Sequence, residues 1–367
     1  MKVDIGYIKR INRIIRKERP NYYPNEICHS FQTGDLLEIG FISKQCKNDM
    51  SGSCLMCDYG KSDKSYSTKQ YIEEMSRIIS LYPNGINYLL LCSNGSILDE
   101  YQIPTETLSA ILCIAQNCSI PNIIIETHYK DITRQRLELL KKTIQKPIII
   151  EMGLETTSQL YQDTLFMKGI IMTEYEKTIA LIHTFGYKID LNIVCGLPFL
   201  STKEQLEDTL HSIRWAVEHD CEPVVFPINI KPYTLLMFAY ENGYYRPINI
   251  WLLIHLLDRL PDFILDKIVV TWYGNRIEEY ATECPSKHVI LPTTCEKCKN
   301  KMMVFFRLFL DTNDSYQRKQ LLKRIITQRE CTCYDDVETD LYAESTISAF
   351  EKTYEDFYNH LRNKFIL

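Results

Sequence analysis

Six short, nearly continuous apolar runs, each followed by a longer amphipathic segment, constrain this 367-residue chain more than any other feature. The runs are Leu36 to Ile42, Ile86 to Cys92, Asn122 to Glu126, Pro147 to Met152, Lys188 to Val194 and Pro223 to Ile228. Runs of this kind suit strands covered on both faces, and a helical segment between them returns each strand parallel to the last. Helices are predicted at Tyr71 to Leu81, Thr105 to Cys118, Arg134 to Ile144, Thr173 to Phe185, Lys203 to His219 and Trp251 to Leu260. Six such units predict an α/β fold, a partial (β/α)6 barrel over residues 31–270. From about Trp272 the rhythm stops, and two long helical stretches follow, Asp314 to Glu330 and Asp340 to Lys364. With the domain boundary near Val270, residues 271–367 are expected to form a cysteine-rich, helical metal-binding domain.

Ahead of the barrel, residues 1–30 carry a basic amphipathic helix from Tyr7 to Arg19. Lys9, Arg10, Arg13, Arg16, Lys17 and Arg19 accompany Ile8, Ile11, Ile14 and Ile15 at helical spacing. Such a helix either caps the barrel with a solvated basic face or contacts nucleic acid. A formal net charge of -5 excludes an overall positive field, so any polyanion must be gripped locally. No apolar run approaches the roughly 18 residues of a membrane span, and no signal-peptide core follows Met1. A cytoplasmic location is expected.

In that compartment the fourteen cysteines stay reduced, as ligands, nucleophiles or core residues. Cys28, Cys92, Cys113, Cys118, Cys195, Cys221 and Cys284 stand singly and read mostly as packing. Cys46, Cys54 and Cys57 fall within twelve residues, on the loop after the first strand of the barrel. In parallel β/α folds that is where reactive groups collect. Three thiolates can hold three irons of a cubane and leave the fourth open to chelation by the amino and carboxylate groups of S-adenosylmethionine (SAM). Electron-transfer clusters normally take four protein ligands. Zinc is the main inorganic alternative, but a structural site wants four ligands, and no His or Cys follows Cys57 at finger spacing before Cys92.

Each of the next strands ends in groups that SAM requires. Ser93, Asn94, Gly95 and Ser96 end the second, where Gly95 permits close backbone approach and carbonyls can accept from the SAM ammonium. Glu126 ends the third and Glu155, in Gly153-Leu154-Glu155-Thr156, follows the fourth; the alternative is capped strand-to-helix turns. These residues resemble the radical SAM superfamily and, within it, the archaeosine biosynthesis radical SAM proteins. The resemblance runs over most of the chain. It includes Cys-x7-Cys-x2-Cys, Ser93 to Asp99, Gly153 to Thr156, Met167-Lys168-Gly169-Ile170, Pro198-Phe199-Leu200, Tyr245-Arg246-Pro247 running into Trp251, Cys295-Glu-Lys-Cys298 and Cys331-Thr-Cys333. It implies a [4Fe-4S] cluster on Cys46, Cys54 and Cys57, with Ser93 to Ser96, Glu126 and Glu155 facing SAM. It also implies reductive cleavage of SAM to a 5'-deoxyadenosyl radical that abstracts a substrate hydrogen. The implied substrate is a lysine-bearing deazaguanine base in tRNA, cleaved at a C-N bond. The implied partners are SAM, a reductase or flavodoxin-type electron donor, and tRNA or a tRNA-modifying partner subunit.

The loops Thr127-His128-Tyr129, Gly196 to Leu200 and Lys231-Pro232-Tyr233 depart from the family pattern where they would face the substrate. A radical SAM maturase of a peptide or small-molecule natural product is therefore the enzymatic rival, and a non-catalytic metal-stapled RNA-binding protein the alternative of another class. Groups placed to return or remove a hydrogen are Cys195, His128, Tyr129, Tyr233 and Cys92, each of which also suits a packing role. Near the carboxyl terminus Cys295, Cys298, Cys331 and Cys333 pair as two close couples 32 residues apart, suited to zinc or to a second iron-sulfur cluster, with Cys284 a substitute ligand.

Overall fold

The computed structural model describes residues 3–20, 25–58, 64–82, 84–271, 289–343 and 349–365. The six expected runs are all strands: β2 (Leu36–Phe41), β3 (Tyr88–Ser93), β4 (Asn122–Thr127), β5 (Ile148–Glu155), β6 (Lys188–Cys195) and β7 (Glu222–Pro227). Two more flank them, β1 (Cys28–Thr33) and β8 (Val269–Val270), so the sheet has eight strands where six were expected. Strand order equals chain order; β2 to β8 run parallel, and β1 pairs antiparallel with β2 across the two-residue turn Gly34–Asp35. Gly34 takes φ +57° there, a conformation that glycine adopts without strain.

The helices are α1 (Ile5–Lys17), α2 (Lys47–Ser51), α3 (Thr68–Leu81), α4 (Thr105–Asn117), α5 (Arg134–Thr143), α6 (Gln159–Tyr161), α7 (Met172–Thr184), α8 (Thr202–Glu218), α9 (Leu235–Glu241), α10 (Trp251–Asp258) and α11 (Asp262–Leu265). Beyond the sheet come α12 (Glu296–Leu310), α13 (Ser315–Thr327), α14 (Cys333–Tyr342) and α15 (Ala349–Lys364). Local chemistry fixes several starts. Ser67 with Gln70, and Ser201 with Glu204, form reciprocal capping boxes at α3 and α8.

Alternate residues of each strand divide between two environments. Leu37, Ile39, Leu89, Leu91, Ile123, Ile125, Ile148, Ile150, Ile189 and Leu191 pack against the helices in one apolar core. Their neighbours face a concave side that the sheet curls around, a cavity of about 1850 Å³. The core continues into the tail, where Met302, Phe305, Phe306 and Phe309 of α12 join it. A second cluster joins both ends of the chain: Ile8 and Ile11 of α1 lie with Phe350, Tyr354 and Phe357 of α15 and with Phe199 and Phe238. Tyr7 Oη donates to the Phe365 carbonyl at 2.6 Å. Among the described residues no helix is long and apolar enough to cross a membrane.

Candidate functional site

The cysteine loop leaves β2 at the carboxyl edge of the sheet. Cys46 precedes α2, Gly52 at φ +81° ends that short helix, and Cys54 itself takes φ +61°. Four separate segments hold the loop. The amides of Cys54 and Leu55 donate to Phe166 and Leu165 carbonyls at 2.6 and 3.1 Å, and Ser53 Oγ donates to the Met167 carbonyl. Lys231 Nζ lies 3.1 Å from Asp58 Oδ1, with both side chains largely buried. Arg16 donates to the Cys54 and Cys57 carbonyls, and Asn12 Nδ2 to that of Gly52 at 2.9 Å. Asn94 Nδ2 donates to the Ser43 carbonyl, tying the loop to the end of β3.

Cys46, Cys54 and Cys57 all line the cavity. Their sulfurs do not gather within 4.8 Å of one another, as ligands of a single ion would. Three thiolates on the wall of one cavity are a donor set compatible with a cubane that keeps one iron open. Burial pushes the Cys54 thiol up to about 12, with Lys168 and Arg16 opposing and Cys57 adding to the rise. Burial also raises Cys46, against the amides of Asp49 and Asn48.

The backbone after β3 lies directly on Cys46: a Cβ at Gly95 would stand 2.8 Å from Cys46 Sγ and 2.8 Å from Gln102 Nε2. Gln102 Oε1 accepts from Ser93 Oγ and from the Ser96 amide, and Ser96 Oγ bonds Thr127 Oγ1 at 2.8 Å. The Ser93 to Ser96 turn is thus braced on three sides, and Ser93, Asn94 and Gly95 line the cavity. Glu126 and Glu155 line it too. Glu155 follows a bulge in β5, at φ +65°, and accepts from Lys168 Nζ at 2.6 Å. Lys168 is brought there by a π-turn, Gln162–Phe166, that buried Gln162 fastens to the Leu154 and Thr156 carbonyls at 2.6 Å each. Neither Lys168 nor Gln162 was singled out from sequence as a site residue; the only cue was the Met167 to Ile170 motif.

Of the hydrogen-transfer candidates, His128 reaches the cavity. Its Nδ1 accepts from the Lys130 amide, which leaves Nε2 as the donor, buried and without a partner. Burial, with Lys168 and Lys130 nearby, lowers its pKa to about 3, so the ring is neutral. Cys92 also lines the cavity, beside Glu38 and His29. The other three stand elsewhere. Cys195 points to the helix layer, near Thr209, and burial pushes it up to about 12. Tyr129 packs between His128 and Tyr175, and Tyr233 is exposed at φ +57°.

The lumen carries three acidic side chains besides Glu126 that the sequence pattern did not bring out, Glu151, Asp190 and Glu222. Glu126, Glu151, Asp190 and Glu222 are register partners on four adjacent strands, all facing the cavity. Asn192 Nδ2 donates to Glu151 Oε1 at 2.7 Å. Burial first, then Glu151 and Glu222, raise the Asp190 pKa well above the usual carboxylate range. An acidic residue at alternate positions of otherwise apolar runs is the signal that marks such a lumen.

The carboxyl-terminal cysteines converge. Cys295 and Cys298 open α12, Cys331 and Cys333 open α14, and all four sulfurs lie within 4.8 Å of one another. Burial opposes ionisation of Cys295, but the Cys298 amide and the adjoining thiols outweigh it and bring the group down to about 7. Tyr334 stacks on His255 of α10 at 4.0 Å, joining this site to the barrel. Cys284 lies outside the described residues.

No protein-family model matches the chain. It is 23% identical over 242 residues to an uncharacterised protein of Methanocaldococcus jannaschii, covering 64% of this chain and 66% of that one. It is likewise 23% identical to archaeosine synthase subunit beta of Methanosarcina acetivorans, covering 63% and 68%. The chain thus spans about two-thirds of the length of these relatives. Archaeal Elp3 of Methanocaldococcus infernus superposes with a TM-score of 0.49 at 11% identity, over 76% of this chain and 64% of that one. The chain resembles archaeosine synthase subunit beta.

Proposed function

We propose that the chain is a radical SAM enzyme acting on a modified tRNA base. The observation that carries this is the three-cysteine loop opening on a cavity at the carboxyl edge of the sheet, with the Gly95 backbone against Cys46 Sγ. A [4Fe-4S] cluster on Cys46, Cys54 and Cys57 supplies, when bound with SAM, the electron that yields a 5'-deoxyadenosyl radical. The protein's part is orientation and exclusion of water. Carbonyls of Ser93 to Gly95 would accept from the SAM ammonium, and Glu126, the Glu155–Lys168 pair and His128 would line the same cavity.

The acidic lumen supports a substrate that carries an ammonium group, such as the lysine on a deazaguanine base. Phosphates are repelled from it, so the RNA backbone stays at the rim while the base enters. The name "subunit beta" of the relative supports a partner subunit.

For the four-cysteine site we propose one zinc ion. A tetrahedral tetrathiolate with Zn–S near 2.3 Å places its sulfurs about 3.8 Å apart, within the spread observed. In a cubane each thiolate binds a different iron, and the sulfurs stand wider.

The test is anaerobic reconstitution, dithionite reduction and detection of 5'-deoxyadenosine, with and without tRNA carrying the lysine-modified base. Product that rises with that tRNA is expected. None from protein holding four irons refutes the enzymatic reading, and product with no tRNA response refutes the substrate.

A further inference from the structure

We propose that α1 is the clamp of the cysteine loop and that Arg16 is a positioning residue, fixing the loop's carbonyls and supplying the buried positive charge beside the cluster. This rests on the reading of Cys46, Cys54 and Cys57 as cluster ligands.

The basic residues of α1 divide by face. Arg10, Arg13 and Lys17 are exposed, whereas Arg16, and Arg19 two residues past the helix end, are 5% and 1% accessible, too deep to meet a phosphate. Arg19 grips Asp49 through two hydrogen bonds of 3.0 and 2.8 Å. Arg16 Nη1 reaches Asp49 Oδ1 at 3.1 Å, while its Nη2 donates to the Cys54 carbonyl and, at 3.0 Å, to that of Cys57. One turn earlier, Asn12 Nδ2 donates to the Gly52 carbonyl at 2.9 Å. A Cβ at Gly52 would collide with the Lys9 carbonyl, so glycine there lets helix and loop backbones touch.

Packing alone does not require this. Ile8 and Ile11 already bury the helix, and desolvating a guanidinium is costly unless it is paired and hydrogen-bonded. Here two guanidiniums meet one loop carboxylate, Asp49, which leaves a net positive charge at the Cys54 and Cys57 carbonyls. Reduction of a cluster adds one negative charge, and a buried cation favours that state. Removing the cation moves the midpoint potential to more negative values.

The experiment compares wild type with Arg16→Gln, Arg16→Lys and Asn12→Ala. The midpoint potential of the reconstituted protein is read by electron paramagnetic resonance, and amide hydrogen exchange over residues 46–58 is read in the metal-free protein. Arg16→Gln is expected to lower the potential and speed loop exchange; Arg16→Lys keeps the potential nearer wild type; Asn12→Ala speeds exchange at unchanged potential. Wild-type potential and wild-type exchange in Arg16→Gln overturn the proposal. If that variant does not fold, the other two decide: wild-type exchange in both overturns the clamp. Failure of wild-type protein to take up four irons overturns the cluster reading instead, and the metal-free exchange then still decides whether α1 holds the loop.

Discussion

Replacing Lys168 by Met keeps most of its apolar stem and removes the ammonium 2.6 Å from Glu155 Oε1. The two side chains are only 15% and 12% accessible, so the remaining carboxylate cannot recover its hydration. Breaking a buried pair by deleting one partner costs about 3–5 kcal/mol. The residual accessibility argues for the lower end, about 3 kcal/mol, or roughly a hundredfold in the folded-to-unfolded ratio. The Glu155→Gln, Lys168→Met double variant leaves no unpaired charge and is expected to recover at least half of that loss. Urea unfolding of metal-free protein at pH 7 measures both. Under those conditions Cys54, held up to about 12 chiefly by burial, is a neutral thiol and cannot compensate. A Lys168→Met loss below about 1 kcal/mol, in the range of an exposed pair, or a double variant no better than the single, refutes the claim that this pair holds the wall of the site.

Three further outcomes follow from the geometry. Gly95→Ala drives a methyl to 2.8 Å from Cys46 Sγ and is expected to cut iron uptake severalfold while far-ultraviolet circular dichroism stays as in wild type. Asp208, raised from 3.8 to about 7 by burial with the Thr156 hydroxyl's hydrogen bond opposing, binds its proton more tightly folded than unfolded. Its contribution is therefore present at low pH and is lost as pH climbs from about 4 to 7, by at most roughly 4 kcal/mol. Asp208→Asn should flatten that part of a stability-against-pH curve, and an unchanged slope counts against it. Cys298→Ser should abolish about one equivalent of zinc, measured by mass spectrometry, and lower the melting temperature without altering iron bound at Cys46, Cys54 and Cys57.

The strands were legible because their helix-facing residues, such as Ile123 and Ile125, are unbroken by charge; the start of α3 was set at Tyr71 although the Ser67–Gln70 capping box begins it at Thr68. What escaped is equally physical. β1 reads Cys-His-Ser-Phe-Gln-Thr, an edge strand whose mixed polarity resembles a loop, and β8 has two residues. α12 begins at a cysteine with no side-chain cap, and its Met302-Met303-Val304-Phe305-Phe306 run reads as readily as a strand. At the site, the cysteine spacing and the strand-end motifs pointed to Cys46, Ser93, Glu126 and Glu155, and these four line one cavity. Direction was not readable: Cys195 and Tyr129 are near strand ends yet point into the helix layer, since a side chain's face depends on strand register.

The same limit explains why the basic helix was ambiguous. Composition counts Arg16 with Arg10 and Arg13, although helical rotation sends Arg16 into the cysteine loop and the other two to solvent, while Arg19 reaches the loop from just past the helix end. The loop itself has little apolar content with which to fold. Its order is borrowed from α1 on one side, from the Gln162–Phe166 turn on another and from Lys231 on a third, all distant in sequence. A site assembled this way forms only when the amino-terminal helix, the bulge at Gly153 to Glu155 and the loop after β7 are all in place. Conformational entropy of the loop is then offset by contacts distant in sequence rather than by local propensity. Truncation before residue 20 should therefore leave the sheet core folded but Cys46 to Cys57 exchange-labile and unable to retain iron; retention of four irons by that truncated chain would contradict the dependence.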